Sequence, residues 1–183
     1  MNRRNMLAIS ATTVFGLALL ADGAIGAPKA KIKKDQLVGD WALVSNNTPN
    51  AAIQNDPDDG YLVFERNGRF SFAILSSKVP KFPSNNRNTG TADENKAAVQ
   101  GNIAYFGTYS VNEADGTLTF HVTRCSYPNW KGTDQPRPIT SLTAQELRYT
   151  NPSASVGGTA ELVWKRVNGQ IYPILRNVIL SSE

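Results

Sequence analysis

Hydrophobic and polar side chains alternate over much of this chain, and a period of two is the signature of a half-buried strand. The stretch 103–130, IAYFGTYSVNEADGTLTFHVTRCSYPNW, carries the pattern most clearly. Two alternating runs flank Asn112-Glu113-Ala114-Asp115-Gly116, a polar break ending in glycine, and together they predict a β-hairpin. The first run puts Tyr105 and Tyr109 on one face. The second holds the single histidine, His121, and the single cysteine, Cys125. It leaves the sheet at Tyr127-Pro128-Asn129-Trp130, because proline has no N–H to give a ladder.

The same reading extends in both directions. A Gly-x-Trp opening, Gly39-Asp40-Trp41, leads into a strand through Asn46, and the polar residues 47–59 form a loop. Strands at 60–65 and 69–75 are joined by the tight turn Arg66-Asn67-Gly68, with its Asn-Gly hairpin signal. Residues 76–90 make a long polar loop. Thr91 followed by Glu94 has capping-box spacing and starts the one helical stretch, which runs to Gln100. After the central hairpin come a loop at 131–135, strands at 137–142 and 147–150 joined by the turn 143–146, a Ser/Gly-rich loop at 151–158, and a last strand at 159–167. About eight short strands at hairpin spacing with one short helix predict an all-β antiparallel barrel or sandwich, not alternating β and α units.

The first residues belong to another kind of segment. A basic start, the apolar run 7–20 and the small residues 21–27 read as a secretory signal peptide, and Arg3-Arg4 resembles a bacterial twin-arginine export signal. The expected division is 1–27 signal peptide, 28–36 a basic, solvated leader and 37–183 the barrel domain, in a periplasmic or secreted protein. The apolar run is short for a spanning helix, so no stable membrane span is expected after cleavage. Charge narrows the partners further. The whole chain is +4, but from Asp35 onward 13 basic residues face 14 acidic ones. The basic character lies in the ends, which argues against a nucleic-acid groove. One cysteine makes no internal disulfide, and Cys125 is expected to be buried and inert.

Three stretches resemble bacterial lipocalin-like domains of the uncharacterised kind. Leu37-Val38-Gly39-Asp40-Trp41-Ala42-Leu43-Val44-Ser45 is similar to their opening. Tyr105-Phe106-Gly107-Thr108-Tyr109, through His121 to Pro128-Asn129-Trp130-Lys131-Gly132-Thr133, is similar to their central block. Glu161-Leu162-Val163-Trp164-Lys165-Arg166 is similar to their final strand. The resemblance implies an up-and-down lipocalin-like β-barrel. It also implies a structural pair at the barrel floor, Trp41 under Arg166, whose cation–π contact is worth up to roughly 2 kcal/mol when desolvated. Phe120 departs from the pattern, which would have a second histidine beside His121.

His121 is the one side chain whose ordinary pKa lies near neutrality, so it is the candidate acid or base. Its neighbours Leu118, Phe120 and Val122 form an apolar set on the opposite face, and a register slip of one residue would exchange the faces. Tyr105 and Tyr109 are candidates to orient a ligand, or are ordinary strand aromatics. Asn129, Trp130 and Arg137 bracket one barrel end, where Arg137 suits either a ligand carboxylate or a structural one. Phe120 joins the candidate ligand-binding set. One histidine and one cysteine are too few for a zinc site, and no phosphate loop or nucleophile elbow is present, so neither a metal nor a cofactor is expected. Asp56, Asp58 and Asp59 lack the spacing of a calcium loop.

Three functions follow from these residues. The first is a barrel holding a small apolar or amphipathic molecule, with 76–90 as its lid. The second is an isomerase, cyclase or hydrolase using His121 in the same cavity. The third is an interaction protein whose barrel is filled by its own side chains. An inward His121 favours the enzyme, and an inward Phe120 favours binding or a filled barrel. The ligand and the oligomeric state are left open.

Overall fold

The computed structural model describes residues 31–49, 51–52, 54–57 and 59–167. The expected signal peptide, the first residues of the expected leader and the stretch after Val167 lie outside the described residues. Eight strands follow one another: β1 (Gly39–Asn47), β2 (Gly60–Phe64), β3 (Arg69–Leu75), β4 (Asn102–Asn112), β5 (Thr117–Cys125), β6 (Asp134–Leu142), β7 (Glu146–Asn151) and β8 (Ala160–Arg166). Each pairs antiparallel with the next, and β8 returns to β1, closing an up-and-down barrel. The helix α1 (Ala92–Gly101) crosses between β3 and β4. Its capping box is complete: Thr91 Oγ1 accepts from the Glu94 N–H at 3.3 Å, and Glu94 Oε2 accepts from the Thr91 N–H at 2.7 Å.

The alternation explains which side chains fill the interior. Leu62, Phe64, Phe70, Phe72, Tyr105, Tyr109, Leu118, Phe120, Leu147, Tyr149 and Trp164 all point inward and are buried. Phe120 sits midway along the axis, with its ring 4.5 Å from Phe70 and 5.9 Å from Phe64 by centroid. Below it, toward the start of β1, the barrel is solid.

That lower end is sealed. Arg166 lies over the Trp41 ring at 4.1 Å and donates to the carbonyls of Val38, Gln36 and Ala144, each at 2.7 Å. Trp41 Nε1 donates to the Leu37 carbonyl at 2.8 Å. Gly39 has φ 126° and lies so close that a β-carbon would stand 2.7 Å from Arg166 Nη1. Residues 31–36 of the expected solvated leader belong to this seal, together with Leu37. Ile32 and Leu37 are buried in the core, and the Lys34 ammonium lies 4.7 Å from the Tyr109 ring centre. Apolar Ile32 and Leu37 in the lysine-rich stretch account for the difference.

Two further departures have local causes. The loop expected at 131–135 ends early, because β6 begins at Asp134 despite Pro136 and Pro138. Ile139 N–H donates toward β5, to the Gly116 carbonyl at 3.0 Å, so positions 136 and 138 turn their missing N–H toward β7. Pairing with β7 begins only at Ile139, and the prolines interrupt nothing there. The second departure is a β-bulge on β5: Phe106 pairs Arg124 while Gly107 pairs Val122. The extra residue, Thr123, shifts the phase. His121 is on the outer face by plain alternation with Leu118, Phe120 and Val122, and the bulge lets Cys125, four residues on, pack against the core.

Candidate functional site

The upper half of the barrel is hollow. A cavity of about 460 Å³ opens where β1, β3, β5 and β7 end. Its wall is mostly apolar, with Phe72, Ile74, Ile103, Tyr105, Tyr149 and Leu162 along it and Trp130 and Arg137 at one side. Its mouth is framed by the end of α1 (98–101), by residues 126–128, by 154–156 and by part of the β1–β2 loop. Val99 and Val156 stand on this rim at 78% and 47% exposure, an apolar lip to the mouth. None of residues 76–90, expected as the lid, lines the cavity. Asp59 holds that loop aside by accepting from the Ser77 N–H at 3.1 Å, as does Asp56, paired with Lys78 at 2.8 Å. These aspartates thus act as loop ties; Asp58 lies outside the described residues.

Arg137 is the unusual member. Its guanidinium is 1% exposed and borders an apolar space. Alternation along β6 turns it inward, and its plane lies between aromatic rings, 5.5 Å from the Trp130 centre and 6.0 Å from that of Phe120. Nη1 donates to the Pro136 carbonyl at 2.8 Å and Nη2 to Gln135 Oε1 at 3.4 Å. The Tyr105 hydroxyl is its polar neighbour. Burial pushes that hydroxyl's pKa up to about 12, with the guanidinium charge and hydrogen bond pulling the other way. Tyr149 is fully buried and burial likewise raises its pKa well above the usual value. Its hydroxyl has no hydrogen-bond partner, nor has Trp164 Nε1. Trp164 Nε1 faces the hydroxyl as a weak donor, so what the tyrosine lacks is an acceptor for its own O–H.

The expected site residues thus separate. Tyr105, Trp130 and Arg137 converge on the cavity. Phe120 lies inside as the layer on which Arg137 rests. Tyr109 is inward but at the sealed end, donating from its hydroxyl to the Glu65 carbonyl at 3.1 Å, away from the cavity. Asn129 is exposed and donates to the Tyr127 hydroxyl at 3.0 Å, so it stands outside the pocket. Cys125 is half-buried; burial raises its thiol pKa, against an N–H donated by Tyr127, which keeps it a thiol.

His121 does not reach the cavity. It lies on the outer face, with Nε2 2.8 Å from Ser110 Oγ and Nδ1 2.7 Å from Asp134 Oδ1. The cross-strand register creates the group: His121 stands opposite Asp134 on β6 and opposite Thr108 on β4, two residues before Ser110. The order Ser–His–Asp resembles a nucleophilic relay. Yet β4 and β5 commit their backbone groups to ladders on both sides, and a flat sheet face offers no paired donors for an oxyanion. The trio reads as a polar cross-strand cluster. An acid or base at His121 acting inside the barrel is excluded by the wall between them.

Sequence reasoning missed Tyr149 and the α1 end. Tyr149 carries a period-two signal but nothing that marks an unpartnered hydroxyl. Among the described residues no group of three or more His, Cys, Asp or Glu converges, and no helix is long and apolar enough to cross a membrane.

A closed antiparallel barrel, solid and stapled at one end and hollow at the other, is the architecture of the lipocalin type. The sequence profile of the lipocalin-like domain matches residues 38–167, and the chain belongs to that family. No curated protein matches it. Among solved structures it is similar to the odorant-binding protein from bovine nasal mucosa, at 17% identity over 84% of this chain and 85% of that one, TM-score 0.36. It is similar also to the bovine protein's complexes with undecanal, at 17% over 84% and 85%, TM-score 0.37, and with a selenium-containing odorant, at 17% over 85% and 86%, TM-score 0.38.

Proposed function

We propose that this protein binds a small apolar or amphipathic molecule in the hollow half of its barrel. The observation that carries the reading is the cavity itself, about 460 Å³ with a largely apolar wall. That size lies in the range of ligand pockets, which combine an apolar wall with a few placed polar groups. Phe120 inward and His121 outward remove the acid–base residue that an enzyme in this cavity required, and the hollow upper half speaks against a wholly filled barrel.

The test is titration with N-phenyl-1-naphthylamine, a neutral dye that brightens in apolar surroundings. One dye per chain is expected, with affinity falling at least about tenfold in Leu162→Trp, which fills the space. Absence of dye binding, together with a bare mass for protein purified gently from its own host, would sink the reading.

The proposed place of action is outside the cytoplasm, after removal of residues 1–27. The support is the basic start, apolar run and small-residue end of that segment. Replacing Arg3 and Arg4 by lysine is expected to strand the protein in the cytoplasmic fraction. Unchanged export would refute the twin-arginine route.

A further inference from the structure

We propose that the occupant is a monocarboxylate amphiphile, its carboxylate seated inward on Arg137 and Tyr149 and its chain running toward the mouth. This rests on the cavity reading above and adds the chemistry of the ligand.

The first observation is a buried cation without a counter-charge. Arg137 is 1% exposed, and among the described residues it forms no ion pair. Its hydrogen bonds go to neutral oxygens of its own strand, the Pro136 carbonyl and the Gln135 side chain. Aromatic faces and the Tyr105 hydroxyl soften the burial but bring no negative charge. A buried charge of this kind is strongly unfavourable unless something pairs with it. A guanidinium has five N–H donors in a planar fork, and a carboxylate is the anion whose two oxygens match that fork.

The second observation is independent. Tyr149 is fully buried, lines the same cavity and has a hydroxyl whose proton meets no acceptor, Trp164 beside it being able only to donate. A buried unpaired hydroxyl calls for an acceptor, and a carboxylate has lone pairs to spare after binding the fork. Two groups therefore ask for the same ligand end.

Charge and shape restrict the class further. One cation neutralises one negative charge, so a monoanion fits and a doubly charged phosphate would leave an excess buried. A cationic ligand would meet Arg137 directly. Beyond the polar end the wall turns apolar at Phe72, Ile74, Ile103 and Leu162, and Val99 and Val156 continue it to the rim. At about 30 Å³ for each water-sized group, a cavity of about 460 Å³ holds on the order of 15 heavy atoms. A straight carboxylate of about twelve carbons meets that limit.

The experiment compares dodecanoate with dodecan-1-ol by calorimetry at neutral pH, below micelle formation. The two share a chain and differ in the charged end. The wild-type protein is expected to bind the acid at least about tenfold more tightly, as loss of a charge-assisted hydrogen bond implies. Arg137→Met should abolish the preference while keeping the alcohol's affinity, and Tyr149→Phe, which removes only the hydroxyl, should reduce it several-fold. Equal or better binding of the alcohol by the wild type would overturn the carboxylate and leave the cavity reading standing. Failure of the acid, the alcohol and the neutral dye would overturn both. Should Arg137→Met fail to fold, the wild-type acid-to-alcohol ratio and Tyr149→Phe still decide the matter.

Discussion

Gly107 sits where β4 meets the bulge of β5, and a β-carbon there would stand 2.0 Å from the His121 carbonyl oxygen and 2.9 Å from the Thr123 nitrogen. Backbone cannot swing aside as a side chain can. Gly107→Ala is therefore expected to cost about 2–3 kcal/mol, the upper range for overpacking, read as a lowered denaturation midpoint. A second residue sets a limit on pH. Tyr105 has its folded pKa raised from 10 to about 12 by burial. A raised folded pKa gives stability that is complete below the unfolded value and is lost as pH climbs through the folded one. Between pH 10 and 12 the loss should reach roughly 2–3 kcal/mol from this group, since each unit is about 1.36 kcal/mol. Urea midpoints against pH, with tyrosinate absorbance followed in parallel, check it; Tyr105→Phe should flatten that part of the profile. At this scale the sequence was legible where contacts follow from pattern. Trp41 and Arg166 meet as the resemblance to lipocalin-like domains implies, and Tyr105, Trp130 and Arg137 line one cavity near the strand ends that bracket them. The bulge made the rest illegible. Nothing in Val122-Thr123-Arg124-Cys125 announces that one residue is unpaired, yet that residue turns Cys125 within, while His121 is outside by plain alternation.

Among the elements, α1 is the one whose local sequence and role can be separated. Its capping box is written in Thr91 and Glu94, while its packing is slight, and its last turn stands at the cavity mouth. Thr91→Ala removes the cap and is expected to destabilise the helix by about 1 kcal/mol. Hydrogen exchange over residues 92–101 should quicken while the strands keep their protection. Ligand entry and release should both accelerate, because the helix is part of the rim and not of the binding wall. The strand boundaries were readable to within a residue or so except at β6. Prolines there are a signal against a strand only if their missing N–H faces a neighbour, and which side it faces is decided by the ladder, not by the local sequence. The lid was misjudged for a related reason: length and polarity mark 76–90 as a loop, but its hydrogen bond and ion pair to Asp59 and Asp56, far earlier in the chain, hold it from the mouth.

For the molecule as a whole, the seal and the cavity occupy opposite ends of one barrel. The sealed end gathers Arg166, Trp41 and three backbone carbonyls. Arg166→Ala is expected to destabilise the protein by about 3 kcal/mol, as bonds from a charged donor and a cation–π contact are lost together, and Lys at this position should rescue only in part. Thermal unfolding checks it, and dye affinity per folded molecule should stay constant, since no group of the seal touches the cavity. The same seal bears on how the chain comes to fold. Trp41 pairs with Arg166 across nearly the entire described barrel, and β8 is the last of the described strands to be made. Until it docks, β1 and β7 are open edges with unpaired backbone, and the loop to be closed is almost as long as the domain. Such contact order slows the search to milliseconds or longer. A ribosome that has released everything but β8 thus holds a ribbon that cannot yet commit, and any factor that shields nascent chains has its window there.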